Sequence, residues 1–163
     1  MRGLVMQLFI MRHGEAQHQA ESDMQRELTE YGISEVSDMA RLLKEEQFDL
    51  VIVSPFVRAV QTADILIKQL SLTTPIIECE LITPAGSAEQ VHDYIDGLLA
   101  EKEYKKILLV SHMPVICYLL AELTIGGHMP IFQTGGVATV DYRPTEMKGD
   151  FVEMLCPFNI CDL

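Results

Sequence analysis

Three four-residue apolar runs constrain this chain more than anything else in it: Leu8-Phe9-Ile10-Met11, Leu50-Val51-Ile52-Val53 and Ile107-Leu108-Leu109-Val110. None has the apolar-polar alternation of a strand with one wet face. Each reads as a strand buried on both sides, the pattern of a parallel sheet held between helices. Helical periodicity separates them. Ile33, Val36, Met39 or Ala40, and Leu43 recur at helical spacing behind a candidate N-cap at Thr29. Val57, Val60, Ala63 or Asp64, and Ile67 follow the second run. Val91, Tyr94, Ile95 and Leu98 follow Ser87-Ala88-Glu89-Gln90, which reads as a capping box. Met113-Pro114 opens a mostly apolar helix to about Leu123, with proline in a first turn that tolerates it. Pro75-Ile76-Ile77 is a further short strand. Val137 to Tyr142 and Phe151 to Leu155 alternate as strands do, around a polar turn containing Pro144 and Gly149, and predict an antiparallel hairpin. The expected fold is α/β: a three-layer sandwich with a mostly parallel sheet flanked by helices and an antiparallel C-terminal hairpin. Residues 1–163 are expected to form one domain.

The three long runs end on residues able to handle an anion. The first leads into Arg12-His13-Gly14-Glu15, the second into Ser54-Pro55 and then Arg58, the third into Ser111-His112. Carboxyl ends of strands in an open parallel sheet face a common crevice, so Arg12, His13, Arg58 and His112 are expected to converge. Forked guanidinium groups suit phosphate oxygens, and a neutral imidazole is a nucleophile, so the set suggests phosphoryl chemistry. Arg58 would begin a helix, whose N-terminal N–H groups also favour an anion. Were His13 the nucleophile, it would attack through an unprotonated ring nitrogen. Its other nitrogen is therefore expected to donate to a backbone carbonyl or carboxylate, and the neighbouring arginines to lower its pKa. His112 is cast as a donor to phosphate. Gly14 permits close backbone approach, and Glu15 caps or orients loop groups.

Net charge and cysteine usage narrow the partners. A formal charge of -12 and a pI near 4.7 argue against nucleic acid and favour a protein partner with a basic surface. No run is long enough to span a membrane, and the N-terminal apolar stretch reads as a strand, with Met1 and Met6 both candidate starts. Cys79, Cys117, Cys156 and Cys161 are sparse, and structural thiols of a reduced, cytoplasmic protein are the expectation; Cys156 and Cys161 could otherwise form a bridge or half a metal site. His18, His92 and His128 are expected at the surface. His13, Glu15 and His18 have metal-like spacing, but Arg12 beside them opposes a cation, so neither metal nor cofactor is expected.

Arg12-His13-Gly14 after a first strand, Ser54-Pro55-x-x-Arg58-Ala59-x-x-Thr62 and Ser111-His112-x-Pro114 together resemble the histidine phosphatase superfamily. Within it the chain is most similar to the small SixA-type phosphohistidine phosphatases. That resemblance runs nearly end to end, through Leu28-Thr29, Glu80-Leu81 with Pro84, and Ala121-Glu122-Leu123. It implies a three-layer α/β fold, His13 as nucleophile, and Arg12, Arg58 and His112 completing the phosphate pocket. It also implies Asp23 and Arg26 at the pocket rim, although Glu27 stands where the subgroup has proline. The implied function is a protein phosphohistidine phosphatase acting through a covalent phosphohistidine on a histidine-containing phosphotransfer domain or a related phosphocarrier in a signalling relay. Two alternatives stand beside it. A small-molecule phosphomonoesterase or mutase needs a carboxylic acid in the crevice, for which Glu80 and Glu89 are the candidates. A non-catalytic phosphohistidine-binding module would keep the arginines without turnover.

Overall fold

The computed structural model describes residues 4–158. Its centre is a six-stranded sheet in the order β3-β2-β4-β1-β5-β6, built from β1 (Met6–Arg12), β2 (Leu50–Val53), β3 (Ile76–Glu78), β4 (Lys106–Ser111), β5 (Val137–Arg143) and β6 (Lys148–Leu155). β1, β2, β3 and β4 pair in parallel, β5 runs antiparallel to β1, and β6 returns antiparallel to β5. Helices α1 (Glu30–Leu42), α2 (Val57–Gln69), α3 (Ala88–Glu101) and α4 (Val115–Leu123) cover the faces. The α/β sandwich and its C-terminal hairpin are those the apolar pattern predicts.

The absence of alternation in the central runs has a direct cause. Leu8 and Ile10 of β1, Leu50 and Ile52 of β2, and Ile107 and Leu109 of β4 enter one core, shared with Val91 and Ile95 of α3 and with most of α4. Phe9 and Met11, Val51 and Val53, and Leu108 and Val110 enter the other, against Val36 and Met39 of α1 and Ala59, Ala63 and Leu66 of α2. Successive side chains point to opposite faces, so a strand covered on both sides must be apolar at every position.

The helices correct several local expectations. Thr29 does cap α1, accepting from Gly32 N–H, but Ile33 is 45% exposed. The buried face is Gly32, Glu35, Val36, Met39 and Ala40, because Gly32 must meet the loop after β1. On α2 Ala63 is buried as expected, but Val57, Val60 and Ile67 are only half-buried, and Arg58, Ala59, Thr62 and Leu66 turn inward beside Ala63. The stripe is set by Arg58, which enters the crevice and takes Thr62, one turn later, with it. Ser87 accepts from Gln90 N–H at 3.4 Å, so the N-cap half of the capping box is present. Pro114 is the N-cap of α4 rather than its first residue.

His92 is a second correction of kind. It is 8% exposed, with Nδ1 3.0 Å from Glu122 and Nε2 2.9 Å from the Tyr142 hydroxyl and 3.3 Å from Asp96. It lies one position from Val91 on the buried face of α3, where its polar atoms find partners on α4 and β5. His18 and His128 are exposed, as expected. Cys79 and Cys117 are buried free thiols, whereas Cys156 is disulfide-bonded, which overturns the thiol reading there; Cys161 lies outside the described residues. No helix among the described residues is long and apolar enough to cross a membrane.

Candidate active site

The site forms where β1, β2 and β4 end. β1 and β4 pair in register up to Arg12 opposite Ser111, and β2 pairs with β4 up to Val53 opposite Val110. His13, Ser54 and His112 therefore leave three neighbouring strands at one level. His13 N–H donates to Ser111 O at 3.1 Å, and Ser54 N–H to Val110 O at 3.1 Å, so both loops start from sheet hydrogen bonds.

Because β5 runs opposite to β1, its N-terminal end arrives at this same edge. The turn before it closes over the first motif: Gly135 N–H lies 3.1 Å from Arg12 O and 3.0 Å from His13 O, and Arg12 N–H donates to Gly136 O at 3.0 Å. Gly135 has φ +74, a left-handed conformation open to glycine at no steric cost. Arg12 Nη1 donates to Phe132 O at 2.8 Å, while its buried Nε has no partner among the described residues.

His13 is 8% exposed. Its Nδ1 lies 2.7 Å from the carbonyl of Gly14, and its Nε2 lies 3.2 Å from Arg58 Nε. A guanidinium only donates, so Nε2 carries the lone pair and the ring proton sits on Nδ1, directed at Gly14 O. Burial is the main force lowering the His13 pKa, to about 4; Arg58 and Arg12 lower it further, against the opposing Gly14 bond. At neutral pH the ring is uncharged, with Nε2 as its nucleophilic atom.

Arg58 is 4% exposed and held at three points. Besides Nε on His13, its Nη1 donates to Asp23 O at 2.7 Å and its Nη2 to the Asp23 carboxylate at 3.2 Å. The guanidinium also lies 5.1 Å from the Phe56 ring centroid. Asp23 extends the link to Arg26 Nη1 at 2.8 Å. Arg26, then Arg58, hold the Asp23 carboxyl below its ordinary range. Burial pulls both Arg12 and Arg58 down from a starting point so high that each keeps its charge.

The His112 ring lies 5.1 Å from the His13 ring, centroid to centroid, with its Nε2 2.7 Å from Ser54 Oγ and its buried Nδ1 unpartnered among the described residues. Its pKa is lowered to about 3, chiefly by burial, then by His13 and Arg58. The structure thus brings Arg12, His13, Arg58 and His112 together, with Asp23 and Arg26 beside them. Glu80 and Glu89 are exposed, and among the described residues no hydrogen bond joins either to this group.

The supporting residues were less visible in the sequence. Thr62 Oγ1 accepts from Gly14 N–H at 3.1 Å and donates to Arg58 O at 2.7 Å, tying the loop to α2. Glu35, 3% exposed, accepts from Glu15 N–H at 2.8 Å and from the Thr134 hydroxyl at 2.6 Å, joining the loop after β1 to the turn before β5. Burial raises the Glu35 pKa, opposed by those same bonds. The one signal available for Glu35 was a carboxylate one position from Val36 on the inward stripe of α1. Glu15 orients the loop through its backbone rather than its side chain.

Residues 8–83 match the family model of the histidine phosphatase superfamily, branch 1. Over 157 residues, 95% of this chain and 96% of the relative, the sequence is 37% identical to the phosphohistidine phosphatase SixA of Escherichia coli strain K12. The chain belongs to the histidine phosphatase superfamily. A SixA homolog of Haemophilus influenzae is 38% identical over 127 residues, 72% of this chain and 77% of that one. A solved structure of the protein histidine phosphatase SixA complexed with tungstate superposes with a TM-score of 0.90 at 37% identity, covering 95% of this chain and 99% of that one. This chain is accordingly a SixA-like hydrolase of that superfamily, and its sandwich is the SixA fold.

Proposed function

We propose that this chain is a protein phosphohistidine phosphatase, that it takes the phosphoryl group from a histidine-containing phosphotransfer domain or related phosphocarrier, and that it does so through a covalent phospho-His13. The observation that carries the reading is that neither carboxyl group seen hydrogen-bonded into the site among the described residues, Asp23 or Glu35, is placed to give a proton. Asp23 is held ionised by two arginines. Glu35 has both oxygens accepting hydrogen bonds. Expelling an alkoxide calls for an acid, since an alcohol, like water, is a far weaker acid than an imidazolium. Imidazole titrates near ~6.5 and leaves with a proton from solvent. A site so composed favours a phosphorus–nitrogen bond over a phosphate ester.

In the first step His13 Nε2 attacks phosphorus in line with the scissile bond. The P–N bond to the substrate breaks, its electron pair returns to the substrate imidazole, and that nitrogen takes a proton from water. Arg58 Nε must turn from the His13 lone pair for this to happen, and the incoming oxyanion supplies its new partner. The two guanidinium groups stabilise the equatorial oxygens, which is most of what phosphoryl transfer asks of a protein. Water then attacks phospho-His13, releasing inorganic phosphate and restoring the Nε2 lone pair. That the SixA relative forms a complex with tungstate, a tetrahedral oxyanion, supports a phosphoryl ligand for a chain of this fold.

The test is incubation with a panel of radiolabelled phosphotransfer domains. The expected result is release of inorganic phosphate with transient acid-labile label on this chain, both lost in His13→Ala. Undiminished turnover by His13→Ala would overturn the covalent step. Equal rates on an alkyl phosphate and a phosphohistidine protein would overturn the substrate assignment.

A further inference from the structure

Ser54 follows β2 directly and is fully buried. Two groups lie within bonding distance of its hydroxyl: Phe56 N–H, at 3.3 Å, and His112 Nε2, at 2.7 Å. A hydroxyl has one proton to give and can accept twice. The Phe56 amide only donates, so among the described residues His112 Nε2 is the acceptor available to the Ser54 proton. Were Nε2 protonated instead, two buried groups would be left wanting: a Ser54 O–H with no acceptor and a His112 Nδ1 lone pair with no donor. The complementary arrangement leaves one orphan, a His112 Nδ1–H beside the His13 ring. His112 is neutral at physiological pH, so its single proton has to be on one nitrogen or the other.

We propose that Ser54 is a positioning residue: its hydroxyl donates to His112 Nε2 and thereby fixes the tautomer in which His112 Nδ1–H is held ready for an oxygen of the phosphoryl group moving to His13. The inference rests on the phosphoryl-transfer reading of the crevice. Nδ1 is then a buried donor whose partner arrives with the substrate. Phe56, edge-on to His112 at 5.1 Å between ring centroids, restrains the ring from the residue whose own N–H holds Ser54 Oγ. The short segment after β2 thus sets both the position of His112 and the placement of its proton.

The experiment is a nitrogen-15 spectrum of the histidine-labelled protein, with His112 assigned by comparison with His112→Asn, alongside steady-state kinetics on a phosphohistidine protein. In the wild type, Nδ1 is expected to resonate as the protonated nitrogen and Nε2 as the unprotonated one. Ser54→Ala is expected to shift the proton toward Nε2 and to lower kcat and kcat/KM together, by about tenfold or more, as for loss of a donor used in the transition state. Ser54→Thr, which keeps the hydroxyl, is expected to restore both. A wild-type spectrum with Nε2 protonated overturns the proposal, even if Ser54→Ala fails to fold. So does a Ser54→Ala protein in which tautomer and kcat do not change together. The spectrum is independent of turnover. Failure of the wild type to act on any phosphohistidine protein would therefore fall on the function assigned to the crevice, separately from the placement of the proton.

Discussion

Gly32→Ala tests the mechanical basis of the site. A Cβ at Gly32 would lie 2.1 Å from Glu15 O and 2.9 Å from Glu15 N. Both are backbone atoms, so no side-chain rotation relieves the overlap. Carbon–oxygen contacts settle near about 3.3 Å, which requires the N-terminus of α1 and the loop after β1 to separate by about 1 Å. That separation is resisted. Thr29 N–H donates to Glu15 O at 2.9 Å, and Glu15 N–H donates to Glu35 at 2.8 Å. The resulting strain should cost about 1–3 kcal/mol, as overpacking of a fitted interior does. For a domain of this size each kcal/mol lowers Tm by about 2–4 °C. Activity should suffer more, because His13 is two residues from Glu15 and its tautomer depends on Gly14 O. A misplacement of about 1 Å costs on the order of 100-fold in rate. Thermal unfolding and phosphate-release kinetics measure the two effects. Gly97→Ala is the internal control: it stands on the exposed side of α3 with nothing within 4 Å of the added carbon, and it should stabilise by about 0.5–1 kcal/mol. Wild-type Tm and kcat in Gly32→Ala would refute the idea that this contact holds the nucleophile in place.

Four further outcomes are expected. The acid limb of kcat/KM should fall near pH 4 rather than near 6.5, because the proposed nucleophile, His13, attacks in its neutral form; a limb at the ordinary histidine value would contradict the burial argument. The same depressed pKa means that the unfolded chain binds more protons than the folded one between about pH 6.5 and 4, so stability should rise with pH through that window and be lost on acidification. Arg58→Ala should lose on the order of 100-fold or more in kcat, and its acid limb should move to higher pH as His13 loses a lowering charge; an unmoved limb would count against their coupling. Tyr142→Phe should destabilise by about 1–3 kcal/mol, since the hydroxyl serves both His92 and Asp96 in a buried setting, with kcat unchanged; chemical denaturation and phosphate release separate the two.

The quartet of Arg12, His13, Arg58 and His112 was legible because each member sits one to five residues beyond a run that is apolar at every position. Period and length locate the strand, and the parallel sheet brings the loops together. The interior faces of α1 and α2 were legible in part: Val36, Met39, Ala40, Leu43 and Ala63 are buried as their spacing predicts, whereas Gly32, Glu35, Arg58 and Thr62, which apolarity does not mark, turn inward to serve the loop after β1. A buried glutamate or arginine has no hydropathy signature. Its reason for burial is a partner 20 or 45 residues away, as with Glu35 and Glu15, or Arg58 and His13. His92 escaped for the same reason, its acceptors lying on α4 and α3 and its hydroxyl partner on β5. Asp23 and Arg26, carried from family resemblance alone, stand at Arg58 in a segment that no periodicity marks.

The reversal of β5 beside β1 has a consequence for how this architecture tolerates change. It lets the stretch from Phe132 to Gly136 meet the first motif mainly through peptide groups, Phe132 O, Gly135 N–H and Gly136 O, beside the Thr134 hydroxyl on Glu35. Main-chain donors and acceptors are the same in every amino acid but proline, so this wall should survive many substitutions that preserve its path, with the left-handed bend at Gly135 the least forgiving point. That side of the enclosure around Arg12 is thereby written in conformation rather than in residue identity.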